Sequence, residues 1–247
     1  MSLIEFRHVD KSFGSKEVLK DVSFSVKKKD IAVVMGPSGT GKSTVIKHIV
    51  GLLKPTSGDI IVDGVSVPKC NEAELLALRK EVGFAFQFGA LFDSMNIYEN
   101  VSFPLVEHTQ LSQNEIKKKV NESLELVGLK PDEVLHLYPH ELSGGMQKRA
   151  AIARTTIMHP KIILYDEPTS GLDPIASDLI SRLIVKLRDE LGITSVVISH
   201  DIKESFKIAD QMIMLHSRGV KADAKPEFFK TTDDPIIRQF IDGISEL

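Results

Sequence analysis

Eight residues, Gly36-Pro37-Ser38-Gly39-Thr40-Gly41-Lys42-Ser43, have the types and spacing to hold a polyphosphate. They fit the pattern G-x-x-x-x-G-K-[ST]. Glycines at that spacing let main-chain N–H groups curl around phosphate oxygens, and a helix starting where the loop ends adds positive dipole potential. Lys42 can reach the β- and γ-phosphates, the Ser43 hydroxyl can ligate Mg²⁺, and Thr44 is placed to bond an α-phosphate oxygen. A second cluster complements the first. The apolar run Ile162-Ile163-Leu164-Tyr165 ends in Asp166-Glu167. A carboxylate at the end of such a strand sits near the metal, usually through water, which is the place of Asp166. Glu167, one residue on, could accept a proton from attacking water. The chemistry implied is attack of water on the phosphate chain of a bound nucleotide.

Strands and helices must hold these groups. Ile31-Ala32-Val33-Val34-Met35 is a continuous apolar run, as in a central strand buried on both faces, and it feeds the glycine-rich loop. A helix follows from about Lys42 to Val50. Before it, Ile4, Phe6 and Val9, then Val18 and Leu19, then Val22, Phe24 and Val26 alternate with polar residues and predict strands. Lys27-Lys28-Lys29 reads as a solvated turn. Thr56-Ser57-Gly58 and Asp63-Gly64 bracket a short strand Ile60–Val62, and Val82–Phe86 is a further buried strand. From about Asn96 to Leu142 the pattern is helical, with Ile116, Val120, Leu124 and Val127 on one face, and Gly128 and Pro131 stop that helix. Strands at Ile162–Tyr165 and Ser195–Ser199 flank an amphipathic helix Ile175–Leu191. This alternation favours an α/β fold with a largely parallel, doubly wound sheet.

Composition excludes several classes. Hydrophobic residues at 42% and charged residues at 26% argue against wholesale disorder. A net charge of −3 lacks the basic excess of a nucleic-acid binder, so no nucleic-acid partner is expected. No apolar run reaches the roughly 18–20 residues that span a bilayer, and the Met1–Phe6 start lacks a signal pattern. Any membrane role is therefore expected to come through a partner. Cys70, the one cysteine, cannot form an internal disulfide. His136 and His140 have a helical zinc spacing, but Pro139 between them disfavours a continuous helix.

With both halves of the phosphate site in hand, a third motif narrows the field. Leu142-Ser143-Gly144-Gly145-Met146-Gln147 is a Ser-Gly-Gly turn opening a helix shortly before the acidic strand end. Together these motifs resemble the ABC transporter nucleotide-binding subunits over nearly the whole chain. The resemblance implies a P-loop NTPase (RecA-like) core with a mainly parallel sheet, an N-terminal antiparallel β subdomain and an inserted α-helical subdomain. The expected organisation is one domain, 1–247, with 1–95 and 155–247 as the core and 96–154 as the helical part. It implies ATP and Mg²⁺ as ligands. It further implies that Phe13 stacks on adenine, that Gln87 senses Mg²⁺ and faces the membrane partner, and that His200 contacts the γ-phosphate. Ser143, Gly144 and Gly145 would bind the nucleotide held by a second copy of the chain, and Ser170-Gly171-Leu172-Asp173 would link the two sites.

A narrower resemblance rests on Phe88–Asn96, Val106–Leu111, Met146 and the tail Asp234–Phe240 with Gly243. These segments are similar to the ATPases of Mla-type and Mce-associated transporters. That group pairs two ATPases with two permease subunits and a lipid-binding periplasmic Mce-type protein. The implied function is ATP hydrolysis at the cytoplasmic face of the inner membrane, driving phospholipid transport between inner and outer membranes. Import of a small polar solute such as an amino acid shares every catalytic motif. A third reading is a non-transport ATPase, either a translation factor or an assembly scaffold; translation factors of this type usually carry two ATPase halves in one chain, and 247 residues hold one, which leaves the scaffold open. One departure stands out. The common pattern has Gln where this chain has Met146, and a thioether cannot donate a hydrogen bond to the opposing nucleotide's sugar.

Overall fold

A computed structural model describes residues 2–243, so Met1 and residues 244–247 of the expected domain lie outside the described residues. The chain begins as a long hairpin, β1 (Ser2–Phe13) and β2 (Lys16–Lys27). The sequence suggests a break between Leu19 and Val22, yet one strand runs through. Asp21 turns into the left-handed region at φ 49° and its N–H donates to Asp10 Oδ1 at 2.8 Å, so a bulged register absorbs the irregularity. β3 (Ile31–Met35) is buried at every position and leads through the glycine-rich loop into α1 (Lys42–Ile49). β4 (Ser57–Val62), longer than the expected Ile60–Val62, and β5 (Val65–Ser66) follow. Next come α2 (Glu72–Lys80) and β6 (Val82–Ala85). Asn71 opens α2 with a capping box to Glu74.

The helical stretch comprises α3 (Ile97–His108), α4 (Gln113–Leu126), α5 (Pro131–Val134) and α6 (Gly144–Thr156). Asn96 and Ser112 close capping boxes on Glu99 and Glu115 and so fix the starts of α3 and α4. Pro139 begins a one-turn helix to Glu141, and the His140 ring stacks on Tyr138. β7 (Ile162–Asp166), α7 (Pro174–Leu191), β8 (Thr194–Ile198) and α8 (Ile202–Ile208) return to the core. β9 (Gln211–His216), β10 (Gly219–Ala224), α9 (Pro226–Thr231) and α10 (Pro235–Asp242) complete the described chain.

Two sheets form. The antiparallel one has the order β2-β1-β4-β5, and the larger has β10-β9-β3-β8-β7-β6. In the larger sheet β3 pairs in parallel with β8 and β9, and β7 with β6 and β8; only β10 is antiparallel. α1 lies between the sheets, where Val45, Ile46 and Ile49 pack with Phe6, Val9 and Leu19 on one side and Val34, Leu164 and Val196 on the other. The opposite face of the large sheet carries α7, and the same apolar cluster continues into α3, α4 and α6. The ends of β3, β6, β7 and β8 therefore deliver their following residues to one edge, where ligands bind in parallel α/β sheets.

Candidate functional site

The loop after β3 is shaped by two glycines whose backbone angles and close neighbours disfavour a side chain. Gly36 has φ +142°, and a Cβ there would lie 2.2 Å from the Leu215 carbonyl oxygen on β9. Gly41 has φ +97° beneath β2, where a Cβ would lie 2.6 Å from Leu19 Cδ2. Between them Pro37, Ser38 and Gly39 are exposed, and Thr40 Oγ1 donates to the Pro37 carbonyl at 2.9 Å. Lys42 donates to the carbonyls of Gly36 at 2.7 Å and Pro37 at 2.9 Å, so its ammonium lies inside the loop. Burial pushes that ammonium down, opposed by Glu167 and Asp166. Ser43 and Thr44 are half-buried, and the Thr44 carbonyl accepts from His48 Nδ1 at 2.6 Å.

Ser43 Oγ donates to Asp166 Oδ1 at 3.5 Å, which brings a hydroxyl and a carboxylate from separate strand ends to one place. Burial raises the Asp166 carboxyl and the charge of Glu167 raises it further, opposed by Lys47, Ser43 and Lys42. A half-buried oxygen pair held this way fits a hard cation such as Mg²⁺, whose charge would offset both the burial and the repulsion from Glu167. The glycine cradle and Lys42 likewise fit a polyphosphate. Glu167 sits in the left-handed region at φ 50°, anchored by its N–H to the Ile198 carbonyl at 3.0 Å. Its Oε2 lies 2.6 Å from Nδ1 of His200, just past β8. Gln87, just past β6, reaches the same edge, and its Nε2 donates to Ser170 Oγ at 3.3 Å. Lys42, Ser43, Asp166, Glu167 and His200 are thus brought together, with Gln87 tied in through Ser170.

The other predicted residues lie elsewhere. Ser143 caps α6 by accepting from the Met146 N–H at 3.3 Å, with Gly144 and Gly145 in the first turn. With Met146, Arg149, Leu172 and Ile175 they line an open cleft of about 470 Å³. Asp173 is at the same cleft and caps α7, accepting from the N–H groups of Ile175 and Ala176 at 2.9 and 3.0 Å. Gln147 does not take the place of the missing glutamine. It turns inward and donates to the carbonyls of Pro139 and Leu142 at 2.8 and 3.1 Å. Phe13 is 47% exposed at the tip of the hairpin, with Lys11 Nζ 4.8 Å from its ring centre.

Two cations of α6 escape sequence reasoning. Lys148 donates to the Ser170 carbonyl at 2.5 Å. Arg154 donates to the carbonyls of Gly89 and Ala90 at 3.1 and 2.9 Å, holding the segment that follows Gln87. Both grip main-chain oxygens distant in sequence, which leaves no pattern to read.

The chain is similar to known proteins in sequence and in fold. The ABC transporter family matches residues 19–170. The probable ribonucleotide transport ATP-binding protein Mkl of Mycobacterium leprae is 42% identical over 240 residues, covering 97% of this chain and 69% of its own length. The intermembrane phospholipid transport system ATP-binding protein MlaF of Escherichia coli K12 is 39% identical over 245 residues, covering 99% of this chain and 90% of MlaF. Among solved structures, a dimeric ATP-binding cassette in a post-hydrolysis state with ADP and Pi superposes with a TM-score of 0.82 at 34% identity. That match covers 90% of this chain and 98% of the other.

Proposed function

The chain belongs to the ABC transporter family as one of its ATPases, and from that premise we propose that it energises phospholipid transport through a membrane-embedded permease. The observation that carries the cargo is the match to MlaF along 99% of this chain. The Mkl protein is named for ribonucleotide transport, and the chain spans about two thirds of the mycobacterial relatives, so their cargo is the competing reading.

In this reading two copies enclose two molecules of MgATP. Each nucleotide lies between residues 36–44 of one copy and Ser143–Gly145 of the other, with Phe13 against adenine and Asp173 at the junction. The γ-phosphate bridges the copies, so its loss on hydrolysis releases them. Lys42 and the loop N–H groups bind the phosphates, while Ser43, Asp166 and Gln87 hold Mg²⁺, which supplies charge neutralisation when bound. Glu167 orients water and takes its proton. His200, 2.6 Å from Glu167, fixes that carboxylate and contacts the γ-phosphate. Residues 96–154 would move as a helical unit against the rest.

The permease would dock beside Gln87. Phe88 is exposed there, and exposed Phe86 and Phe92 line a groove of about 480 Å³ that also takes in Leu76, Phe103 and Arg154. No described helix is long and apolar enough to cross a membrane. The proposed location is the cytoplasmic face of the inner membrane, held through the permease, with a lipid-binding Mce-type protein on the periplasmic side.

Affinity capture of the chain from membranes tests the cargo. A polytopic permease with bound phospholipid is expected; a solute permease without lipid would overturn the reading. For the chemistry, Glu167→Gln is expected to bind MgATP and dimerise while turnover falls by about a thousandfold. Hydrolysis within a few fold of wild type would remove Glu167 from its role.

A further inference from the structure

The helix that begins at the Ser-Gly-Gly turn carries a half-buried cation that the reaction as described does not use. Lys148 donates from Nζ to the main-chain oxygen of Ser170 at 2.5 Å. Its acceptor is a carbonyl, not a carboxylate. Burial pushes the ammonium down, and the charge acting against that push is Glu167. An exposed lysine would keep its hydration and its rotamers; one fixed on a carbonyl gives up part of both. The contact must therefore be a charge-assisted bond that holds something in place.

Ser170 is what it holds, and Ser170 is bonded at two further atoms. Its N–H donates to the Glu167 carbonyl at 3.2 Å, and its hydroxyl accepts from Gln87 Nε2 at 3.3 Å. One residue thus joins α6, the segment after β6, and the residue that follows β7. Pro168 is buried and Leu172 packs against the large apolar cluster, but the middle of this stretch is lightly held. Gly171 is exposed at φ +74°, and a Cβ there would meet no atom within 4 Å. Burial of Pro168 and packing of Leu172 anchor the turn from Glu167 to Asp173, and the polar bonds to Ser170 fix its middle.

We propose that Lys148 is a positioning residue for Glu167 of its own chain, acting through Ser170, so that α6 is tied to the hydrolysing site of the same subunit. The inference rests on Glu167 being the group that activates water. When the Ser-Gly-Gly turn engages the nucleotide of the second copy, a shift of α6 moves the Ser170 carbonyl and with it the turn that places Glu167. A bound nucleotide at one site would then tune the general base beside the other.

Lys148→Met keeps the aliphatic stem and removes the ammonium; Lys148→Arg keeps a donor. Steady-state ATPase is measured on the full chain together with the membrane subunits that co-purify with it. MgATP affinity and thermal midpoint are recorded as controls of folding. For Lys148→Met, kcat is expected to fall about tenfold while KM for ATP stays within about twofold, and Lys148→Arg is expected to recover most of the loss. In a Glu167→Gln background, Lys148→Met should cause no further loss, because the group it positions is already gone. Normal kcat in Lys148→Met beside an inactive Glu167→Gln overturns the role of Lys148 alone. Near-normal turnover of Glu167→Gln removes the premise and the inference with it. A loss in Lys148→Met that follows a lowered thermal midpoint and is not rescued by arginine assigns the residue to stability and overturns the inference.

Discussion

The phosphate loop and the Ser-Gly-Gly turn use glycine for different reasons. Each presents main-chain N–H groups at the start of a helix, a geometry suited to phosphate oxygens. In the phosphate loop the chain itself demands glycine, because Gly36 has φ +142° with the Leu215 carbonyl 2.2 Å from where a Cβ would be. At the turn the demand is weaker: a Cβ on Gly145 would press on Ala176 Cβ at 3.3 Å, and Gly144 has room for one. Gly144 and Gly145 open α6, and a Cβ on Gly144 would meet Leu172 Cδ2 at 3.6 Å, an ordinary contact. A helix generally prefers alanine to glycine by roughly 0.5–1 kcal/mol. The first site is thus complete in its need for glycine within one chain. At Gly144 the second has no such need within its own chain and suits something arriving from outside, which is what a second copy with its nucleotide would be.

The largest test of that contrast is Gly36→Ala. Strain and overlap together should cost about 3 kcal/mol or more and lower the thermal midpoint by on the order of 10 °C, measured by calorimetry. A midpoint within about 2 °C of wild type would dissolve the distinction. Gly144→Ala comes next and should do the reverse. Its midpoint should hold or rise slightly, by up to about 1 kcal/mol in stability, while ATP-driven dimerisation seen by light scattering is lost. Destabilisation on the scale of Gly36→Ala would show that the turn is built for its own chain after all. The smallest effect is expected from Asp173→Ala, which removes the two cap bonds of α7 and should cost about 1 kcal/mol in denaturant unfolding. A zero cost would mean that Asp173, like Gly144, is there for the partner alone.

Much of the site is legible in the sequence because its parts are obligate in type. A loop that folds around phosphate needs glycines, and a metal site at a strand end needs carboxylates, so Gly36–Ser43 and Asp166–Glu167 declare themselves. What pairs with them does not. β9 supplies the carbonyl that closes on Gly36, yet it stands nearly 180 residues away and joins β3 by a parallel pairing that no local periodicity records. The apolar run Met212–Leu215 is visible, but its neighbour is not. The hairpin shows the same limit on a smaller scale, since Asp21 bends within one strand where polarity suggests two. Lys148 is hidden for a different reason. A lysine on a helix is ordinarily solvated, and only the fold reveals that its acceptor is a main-chain oxygen.

The left-handed backbone of Glu167 bears on how this protein would answer to selection. A non-glycine residue at φ 50° carries roughly 1 kcal/mol of strain, so exchange to glycine there would relieve it. A library screened only for heat resistance or yield would therefore drift toward losing the carboxylate, and under the role proposed for Glu167 its winners would be sturdier proteins that no longer turn over. Retention of glutamate at such a position is a mark of selection for work rather than for endurance.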